Sequence, residues 1–347
     1  MRIAFILSAL INRGPEVVVS ELVSQLQEMG HTCYIYYFDG KEPELYFSCQ
    51  VERISFYQSI PFSNYDIIHS HGLRPDMYVF LHKPLIRCKT KFVSTIHAYI
   101  LDDFIYNFGR LKGGFFAYIW LYLLTSRIDK IVTLSNNAIK YYSHWISPEK
   151  LTFIYNGRSI NISDKINTEL QAQIREFKGE FRLLGVNCKL TRRKGVDLLI
   201  EALPMLDNYK LLIIGDGLVR KELENQALRL KVDDRCLFLG YQEKAYRFVP
   251  FYDIYASPSR SEGFGLAIME AAIYSRKVLC SDIPIFRELF TETEVCFFDL
   301  QNINSLVQAV KQLEKNNSFG LNLNKKWLSS FSPERMASNY LDLYESL

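Results

Sequence analysis

Short apolar runs alternate with longer amphipathic segments along nearly all of this chain of 347 residues. Apolar runs of about four to eight residues are typical of buried strands, and apolar residues spaced three and four positions apart are typical of helices. Because strand and helix alternate repeatedly, the pattern predicts parallel sheets with crossover helices, which is an α/β, doubly wound arrangement. The length favours two such domains.

The apolar runs predict twelve strands, six in each half of the chain. They are Ile3–Leu7, Thr32–Phe38, Asp66–His69, Phe92–Ile96, Lys130–Thr133, Leu151–Tyr155, Phe181–Val186, Lys210–Ile214, Cys236–Leu239, Asp253–Ala256, Lys277–Ser281 and Val295–Phe298. The amphipathic segments predict helices that include Pro15–Met29 and residues 195–203, 218–230, 264–274 and 302–317.

A polar stretch, Asn156–Glu180, separates the two halves and predicts the domain boundary. We expect residues 1–160 and 161–332 to form two Rossmann-like domains, with a helix at 333–347 that could pack back on the first. Ligands bind at the carboxyl ends of the strands in such domains, so the cleft between the two domains is the expected active site.

The net charge and the cysteine content bear on two questions, namely whether the chain binds nucleic acid and which cellular compartment it occupies. Lysine and arginine number 41 against 38 aspartates and glutamates, a near-balance that argues against a nucleic-acid-binding protein. The seven cysteines contain no CxxC pair, which favours buried thiols in a reducing compartment and predicts a cytoplasmic protein. The apolar amino terminus is interpreted as a buried strand rather than a signal peptide.

The sharpest motif, SPSRSEGFGLAIMEA, spans residues 257–271. The predicted strand Asp253–Ala256 ends just before it, and a glycine-bearing loop then opens a helix near Phe264. The backbone amides of Gly263, Phe264 and Gly265 would lie at the positive end of that helix, where they could hold an anion.

Two carboxylates of this motif, Glu262 and Glu270, lie eight residues apart and could both face the cleft. Taken singly, Glu262 could merely cap the helix and Glu270 could lie on a solvated face. Glu270 falls in the apolar run LAIMEAAIY, however, where an unpaired carboxylate would be costly. A hydroxyl of a ligand would explain its presence there.

The segment PSRSEGFGLAIMEA resembles the EGFG–x–E signature of the retaining family-4 glycosyltransferases, which have the GT-B fold. Further segments match landmarks of that family in order, among them INRGPEVVVSELVSQLQEMGH, DIIHSHG, STIHAY, IYNGR, LLGVNCKLTRRKGVDLLIEAL and VLCSDIPIFREL. The resemblance implies two Rossmann-like domains that face a central cleft. It also implies metal-independent transfer of a sugar from a UDP- or GDP-sugar, with no further cofactor.

A basic loop contains Lys189, Arg192, Arg193 and Lys194. It could be a diphosphate clamp or simply a solvated loop, since either use requires only exposed cations. By the resemblance, Lys194 corresponds to the phosphate-binding lysine of the family. Lys189 stands where the family usually has arginine, which removes a bidentate fork, so Arg192 or Arg193 could share its work.

The resemblance implies roles for the remaining site residues. Glu270 would hold the ribose hydroxyls of the donor, and Glu262 would hold a hydroxyl of the donor sugar. Gly14 would let the first loop approach the phosphates closely. His97, which follows the predicted strand Phe92–Ile96, would contact the transferred sugar. The expected catalytic residues are therefore His97, Glu262 and Lys194, and the first domain would bind the acceptor while the second binds the donor.

Other kinds of site find weaker support. His69 and His71 lie near the end of a strand, but no carboxylate cluster accompanies them, so we expect no metal site. Gly215-Asp216-Gly217 begins a dinucleotide fingerprint in which Arg220 takes the place of the third glycine, and an NAD-dependent enzyme is not predicted.

Residues 83–140 contain nine lysines and arginines against three aspartates, interleaved with aromatic residues. Their uncharged run, residues 113–126, is shorter than the ~20 residues that span a bilayer. The segment could be a core helix, or residues 99–127 could lie on an anionic membrane surface beside Arg110, Lys112 and Arg127. The resemblance favours the second, because many family members extend glycans on lipid carriers.

Together with the resemblance, these features predict a retaining glycosyltransferase of the hexosyltransferase type, which is cytoplasmic and could be peripheral on the cytoplasmic face of a membrane. Its acceptor would be a glycan or a lipid-linked glycan in the synthesis of a surface polysaccharide such as capsule, exopolysaccharide or lipopolysaccharide. A nucleotide-sugar epimerase of the same fold and a non-catalytic sugar-binding protein are the alternatives.

Overall fold

The computed structural model describes residues 1–40, 42–85 and 88–347, which form two compact units. The first unit consists of Met1–Arg158 together with Phe331–Leu347. The second unit consists of Ser159–Ser330. The polypeptide therefore enters the second unit once and returns to the first with its last residues.

The described residues of the first unit form a seven-stranded sheet in which every neighbouring pair is parallel. Its strands are β1 Arg2–Leu7, β2 Thr32–Tyr37, β3 Gln50–Arg53, β4 Ile67–His71, β5 Lys91–Thr95, β6 Lys130–Thr133 and β7 Leu151–Phe153. Their order in the sheet is β3-β2-β1-β4-β5-β6-β7. The order reverses between β1 and β4, which makes the carboxyl ends of these two strands the switch point where ligands bind in such folds.

In the part of this unit that the structure describes, five α-helices connect the strands. They are α1 Gly14–Glu28, α2 Leu73–His82, α3 Ile100–Phe108, α4 Arg110–Arg127 and α5 Asn136–Tyr142. The apolar face expected for the first helix is buried, with Val18, Leu22 and Leu26 almost fully excluded from solvent. Burial of this face against the sheet is the main contribution of α1 to stability.

The second unit contains a six-stranded sheet, also parallel at every neighbouring pair. Its strands are β8 Arg182–Asn187, β9 Tyr209–Ile214, β10 Cys236–Phe238, β11 Ile254–Ser257, β12 Lys277–Ser281 and β13 Cys296–Phe298, in the order β10-β9-β8-β11-β12-β13. Here the order reverses between β8 and β11. The loops that follow these two strands therefore meet at the switch point of the second sheet.

Seven further helices belong to the second unit. They are α6 Thr168–Lys178, α7 Val196–Ala202, α8 Arg220–Arg229, α9 Leu266–Ile273, α10 Pro284–Leu289, α11 Ile303–Lys315 and α12 Ser318–Ser330. The last helix, α13 Pro333–Glu345, packs against α1 in the first unit. Two doubly wound, parallel-sheet domains were predicted, and the fold confirms them.

Three elements differ from the sequence-based expectation. Strand β3 was missed because all four of its residues are exposed, which leaves no apolar pattern to detect. Helix α6 lies inside the polar stretch that was expected to be the domain boundary. Of its described residues only Ile174 is buried, so the sequence shows little apolar pattern there. The helix expected to begin near Phe264 begins at Leu266, since Gly265 has a backbone φ of 98° and serves as its cap.

The uncharged run at residues 113–126, interpreted as a core helix or as a membrane-surface segment, lies in helix α4. Its residues Gly113, Ala117, Trp120, Leu121, Leu123 and Leu124 are buried. The opposite face leaves large apolar side chains in contact with solvent, so α4 is a core helix on one side only. Among the described helices, none combines the length and the apolar character needed to cross a bilayer.

Candidate active site

The loop between β11 and α9 holds Glu262 in a buried, polar setting. The Ser259 hydroxyl donates a hydrogen bond to Glu262 Oε1 over 2.7 Å, and the Ser281 hydroxyl in turn donates to the Ser259 carbonyl over 2.5 Å. Ser259 and Ser281 are themselves buried. The carboxylate is therefore fixed in place by a short chain of hydrogen bonds that starts on β12.

Lys194 completes this arrangement. Its Nζ lies 2.5 Å from Glu262 Oε1, and the two side chains are only 21% and 11% exposed. Burial by itself would raise the pKa of Glu262. The ion pair with Lys194, the hydrogen bonds from Lys194 and Ser259, and the charge of Arg193 outweigh burial and hold that pKa below its ordinary value. Glu262 is thus a buried carboxylate that stays ionised at neutral pH.

The two loops approach each other closely because of a glycine. Gly195 has a φ of 68°, and a Cβ atom built on it would lie 1.9 Å from the Pro258 carbonyl oxygen. No other residue type could occupy this position without moving one of the loops. The close approach brings Lys194 of one loop to Glu262 of the other.

Arg260 ties the same two loops together. Its guanidinium donates to both carboxylate oxygens of Asp197, over 2.9 and 2.6 Å, and to the Arg192 carbonyl over 2.6 Å. Its backbone amide donates to the Arg193 carbonyl over 2.7 Å. Arg260 was not singled out from the sequence, although it lies inside the motif at 257–271. It orders the backbone on which the expected phosphate-binding cations stand.

The cations of the basic loop differ in their surroundings. Arg192 is exposed and pairs with Glu222 of α8 at 3.1 Å, which directs its guanidinium away from Glu262. Lys189 is exposed, and within the described residues it forms no ion pair. Arg193 is half-buried and close enough to lower the pKa of Glu262. Of the two arginines considered as a substitute for the missing fork, Arg193 is therefore the better placed.

The amino end of α9 has the features of an anion-binding terminus. Gly265 caps the helix without a side-chain hydrogen bond, so the first amides of the helix have no side-chain acceptor from that cap. Phe264 is buried in the core, while Gly263 and Gly265 are partly exposed. The backbone of residues 263–265 is thus anchored by one aromatic ring and remains approachable on either side.

Glu270 lies half-buried on α9, one turn beyond this terminus. Its charge adds to burial in raising the pKa values of Tyr252 and Tyr255 well above the ordinary value. Its carboxylate is therefore electrostatically close to two fully buried tyrosines of the second unit.

In the first unit, the predicted residues follow the carboxyl ends of β1 and β5, at the switch point and one strand beyond it. Gly14 is the exposed first residue of α1, directly after the loop that follows β1. His97 follows β5 by two residues, and its Nε2 lies 2.9 Å from Nδ1 of His71, the last residue of β4. Burial lowers the pKa of His97 to about 4, so its ring is neutral at pH 7.

From the sequence, His69 and His71 were considered only as metal ligands. In the structure, both form hydrogen-bond contacts with other side chains. His69 Nδ1 lies 2.7 Å from the Tyr344 hydroxyl, and His69 Nε2 lies 2.8 Å from the Thr95 hydroxyl. Among the described residues, no three histidine, cysteine, aspartate or glutamate side chains surround a common point. The signal that could have revealed the His71–His97 contact is the position of both at the ends of neighbouring strands.

Two models of glycosyltransferase families match this chain. Residues 167–328 match the model of the family described as glycosyl transferases group 1, and residues 12–161 match the model described as glycosyltransferase family 4. Between them, the two models cover most of both units.

Two curated relatives and one solved structure illustrate the similarity. The O-antigen biosynthesis glycosyltransferase WclY of Escherichia coli is 33% identical over 369 aligned residues, which span 100% of this chain and 99% of that protein. The N-acetylgalactosamine-N,N'-diacetylbacillosaminyl-diphospho-undecaprenol 4-alpha-N-acetylgalactosaminyltransferase of Campylobacter jejuni is 30% identical over 60% of this chain and 55% of that protein. The crystal structure of Anabaena Alr3699/HepE with UDP and glucose superposes with a TM-score of 0.81 at 18% identity, covering 99% of each chain.

Proposed function

The chain belongs to the glycosyl transferases group 1 family and is a glycosyltransferase, as the resemblance predicted. We propose that it is a retaining enzyme that acts on a lipid-linked glycan. The donor in this proposal is a nucleoside diphosphate sugar, and the product is part of a surface polysaccharide. The observation that carries the proposal is the Lys194–Glu262 pair, held at the switch point of the second sheet beside the amino end of α9.

This arrangement suits a departing diphosphate. When the bond between the anomeric carbon and the diphosphate oxygen breaks, negative charge develops on the leaving group. In this proposal, Lys194 and the amides of residues 263–265 stabilise that charge, and Arg193 reinforces them. The acceptor oxygen forms the new bond to the anomeric carbon, and its proton passes to the leaving phosphate.

Other residues of the proposal bind and orient the donor. Glu270 holds the ribose hydroxyls, and Glu262, which stays ionised, accepts a hydrogen bond from a hydroxyl of the sugar. His97 is proposed to contact the transferred sugar, and Gly14 is proposed to let the phosphates approach the backbone closely. Lys189 is exposed and can reach an anion by its flexible stem, although it lacks the fork of an arginine. The chemistry needs no metal ion in this scheme.

Relatives suggest the class of donor and acceptor. Alr3699/HepE was crystallised with UDP and glucose, which favours a uridine nucleotide over a guanosine nucleotide here. The Campylobacter jejuni relative is named for a diphospho-undecaprenol substrate, and WclY is named for O-antigen synthesis. We therefore propose a lipid-linked acceptor in the assembly of a surface glycan.

The surface of α3 and α4 supports a peripheral association with the membrane that would hold such an acceptor. Large apolar side chains are exposed along these two helices, namely Tyr106, Phe108, Leu111, Phe115, Phe116, Tyr118, Ile119 and Tyr122. An exposed apolar patch of this kind is typical of an interaction surface. Arg110 and Lys112 stand beside it, and neither forms an ion pair with the described residues. Arg87, one of the basic residues counted in this region, lies outside the described residues.

Transfer assays test this function directly. Purified protein should bind UDP in isothermal titration calorimetry, and should transfer sugar from a UDP-sugar only when a lipid-linked glycan is present. Proton NMR of the product should show the same anomeric configuration as the donor. Conversion of the nucleotide sugar without acceptor would instead indicate an epimerase, and binding without turnover would indicate a non-catalytic protein.

A further inference from the structure

The contact between His71 and His97 joins the carboxyl ends of β4 and β5, beside the switch point of the first sheet. His71 is paired in register with Thr95, and His97 follows Thr95 by two residues. Nδ1 of His71 and Nε2 of His97 lie 2.9 Å apart, which is a hydrogen-bond distance. One of the two nitrogens must therefore carry a hydrogen and donate the hydrogen bond, and the other must accept it.

Both rings are neutral, so each carries a single N–H. Burial lowers the pKa of His97 to about 4. Burial, together with the charges of His69 and His97, lowers the pKa of His71 well below its ordinary value. Two arrangements remain: either His71 donates from Nδ1, or His97 donates from Nε2.

The surroundings of His71 distinguish these arrangements. Its Nε2 is buried and has no hydrogen-bond partner in the described part of the chain. If His97 donated, the only N–H of His71 would lie on that Nε2, as a buried donor without an acceptor. If His71 donates, Nε2 carries only a lone pair. Buried N–H groups without a partner are the rarer of the two defects in proteins, so donation by His71 is favoured.

We propose that His71 fixes the tautomer of His97, so that His97 carries its proton on Nδ1 and presents an N–H donor to an oxygen of the transferred sugar. This inference rests on the proposed function, in which His97 contacts that sugar. Nδ1 of His97 has no partner among the described residues and is not one of their buried unpaired atoms. The residue is half-buried, so this nitrogen keeps some contact with solvent. His71 is a positioning residue, since it acts on the sugar only through His97.

The ring of His71 is itself held in place. It packs against the ring of His69 with centroids 4.2 Å apart and ring planes tilted by 40°. The centroid of the Phe5 ring lies 6.1 Å from that of His71. His69 cannot rotate freely, because the Tyr344 and Thr95 hydroxyls occupy its two nitrogens. The tail helix α13 thus supports the ring on which His71 packs.

Nitrogen-15 NMR of histidine-labelled protein tests the tautomer without any activity measurement. The chain has six histidines, and the signal of His97 can be assigned by its loss in His97→Gln. At pH 7 the wild-type protein should show His97 protonated on Nδ1 and bare on Nε2. A proton on Nε2 of His97 would overturn the proposal, whatever the activity of the protein.

Two substitutions of His71 then test the consequence. His71→Asn keeps an N–H donor near the place of Nδ1, whereas His71→Phe keeps a planar ring and has no donor. The expected result is that His71→Phe lowers kcat by about tenfold with unchanged affinity for UDP, because the diphosphate contacts lie in the second unit. His71→Asn should retain most of the wild-type kcat and the Nδ1–H tautomer of His97.

The outcomes separate this proposal from the function it rests on. A normal kcat in His71→Phe, or an equal loss in both variants, would overturn the positioning role. If the wild-type protein transferred no sugar from any nucleotide donor, the proposed function would fail, and the NMR signal of His97 would still decide the tautomer. Should His71→Phe fail to fold, the wild-type spectrum and His71→Asn carry the test.

Discussion

Lys194 and Glu262 depend on each other in a way that affects both stability and catalysis. Glu262 is largely buried, and the nearby cation compensates for most of the cost of burying its charge. The same cation is proposed to stabilise the departing diphosphate. Donor binding must therefore redistribute the contacts of Lys194 between the carboxylate and the phosphates. The hydrogen bonds from Ser281 to Ser259 and from Ser259 to Glu262 keep the carboxylate in place during this redistribution.

Replacing Lys194 by methionine keeps an unbranched side chain without the terminal ammonium group and so removes its charge. We expect kcat to fall by about 100-fold or more, which is typical when one group that stabilises developing charge is lost. Steady-state transfer assays, corrected for the folded fraction by circular dichroism, measure this effect. Arg192→Met is the matched control, since Arg192 lies in the same loop but pairs with Glu222. Equal losses in the two variants would contradict the role of Lys194.

Glu262 also makes stability depend on pH. Its pKa is lower in the folded chain than its ordinary value of 4.5, so the unfolded chain binds this proton more readily. The stabilisation is complete above pH 4.5 and is lost as the pH falls through the folded-state pKa. In Lys194→Met, burial is the largest remaining influence and should raise this pKa above 4.5, so stability should decrease as the pH rises past that value. Urea unfolding at several pH values should show opposite slopes, and parallel curves for the two proteins would contradict this.

Glu270 offers a test of donor binding alone. If it accepts hydrogen bonds from the ribose hydroxyls, Glu270→Ala should weaken the binding of UDP by about 1.5–3 kcal/mol. Isothermal titration calorimetry measures the affinity directly. Glu201→Ala removes an exposed carboxylate of the same unit and should leave it unchanged. Wild-type affinity in Glu270→Ala for both UDP and GDP would exclude the ribose role.

At the scale of elements, α4 has two apolar faces with different uses. One face is buried in the core of the first unit, where Trp120 donates a hydrogen bond to the buried Asp76 over 2.6 Å. The other face exposes Leu111 by 91%, Phe115 by 65% and Tyr122 by 63%. Packing within the first unit explains the first face and leaves the second unexplained. An anionic membrane surface would cover it.

The double variant Arg110→Glu/Lys112→Glu tests this surface. Each cation near an anionic bilayer contributes on the order of 1 kcal/mol, so charge reversal should abolish co-sedimentation with anionic vesicles at low salt. Arg127 is left unchanged, because its guanidinium donates hydrogen bonds to the carbonyls of Lys83 and Pro84 and helps to hold the end of α4. The affinity for UDP should not change.

A charge-matched control separates local from overall electrostatics. Lys311→Glu/Lys315→Glu makes the same change in net charge on α11 of the second unit, where both lysines are exposed. This control should still sediment with the vesicles. Failure of the wild-type protein to bind anionic vesicles even at low salt would mean that the exposed face of α4 serves some other contact.

Much of the element order could be predicted because it depends on local pattern. The buried strands and the apolar face of α1 follow from periodicity alone. Strand β3 could not be predicted, since it pairs with β2 only through its backbone. The exposed face of α4 could not be predicted either, because its apolar residues resemble those of a buried helix in sequence.

The candidate site was predictable where the motif is contiguous and not where it depends on register. Glu262, Gly263 and Gly265 follow from one short segment. The approach of Lys194 to Glu262 depends on the contact of Gly195 with Pro258, which lie far apart in the chain. The pairing of His71 with His97 likewise depends on how β4 and β5 align, and no local pattern fixes that alignment.

At the scale of the whole molecule, the path of the chain links its last residues to the first unit. Met336, Tyr340 and Tyr344 of α13 are buried there, and the Gly157 amide donates a hydrogen bond to the sulfur of Met336. The Tyr340 hydroxyl lies 2.9 Å from that of Thr95 on β5. Strand β4, which ends at His71, and strand β5, which precedes His97, are therefore both in contact with α13.

Deleting residues 333–347 should consequently destabilise the first unit and spare the second. Each buried large side chain that is lost costs about 2–5 kcal/mol, and the loss of three approaches the whole stability of a typical domain. Hydrogen exchange followed by mass spectrometry should show loss of protection in β4 and β5, while β8 and β11 remain protected. A chain that lacks only Ser346 and Leu347, which follow the end of α13, is the control and should exchange like the wild type. Unchanged protection of β4 and β5 after the full deletion would mean that the first unit is stable without its tail helix.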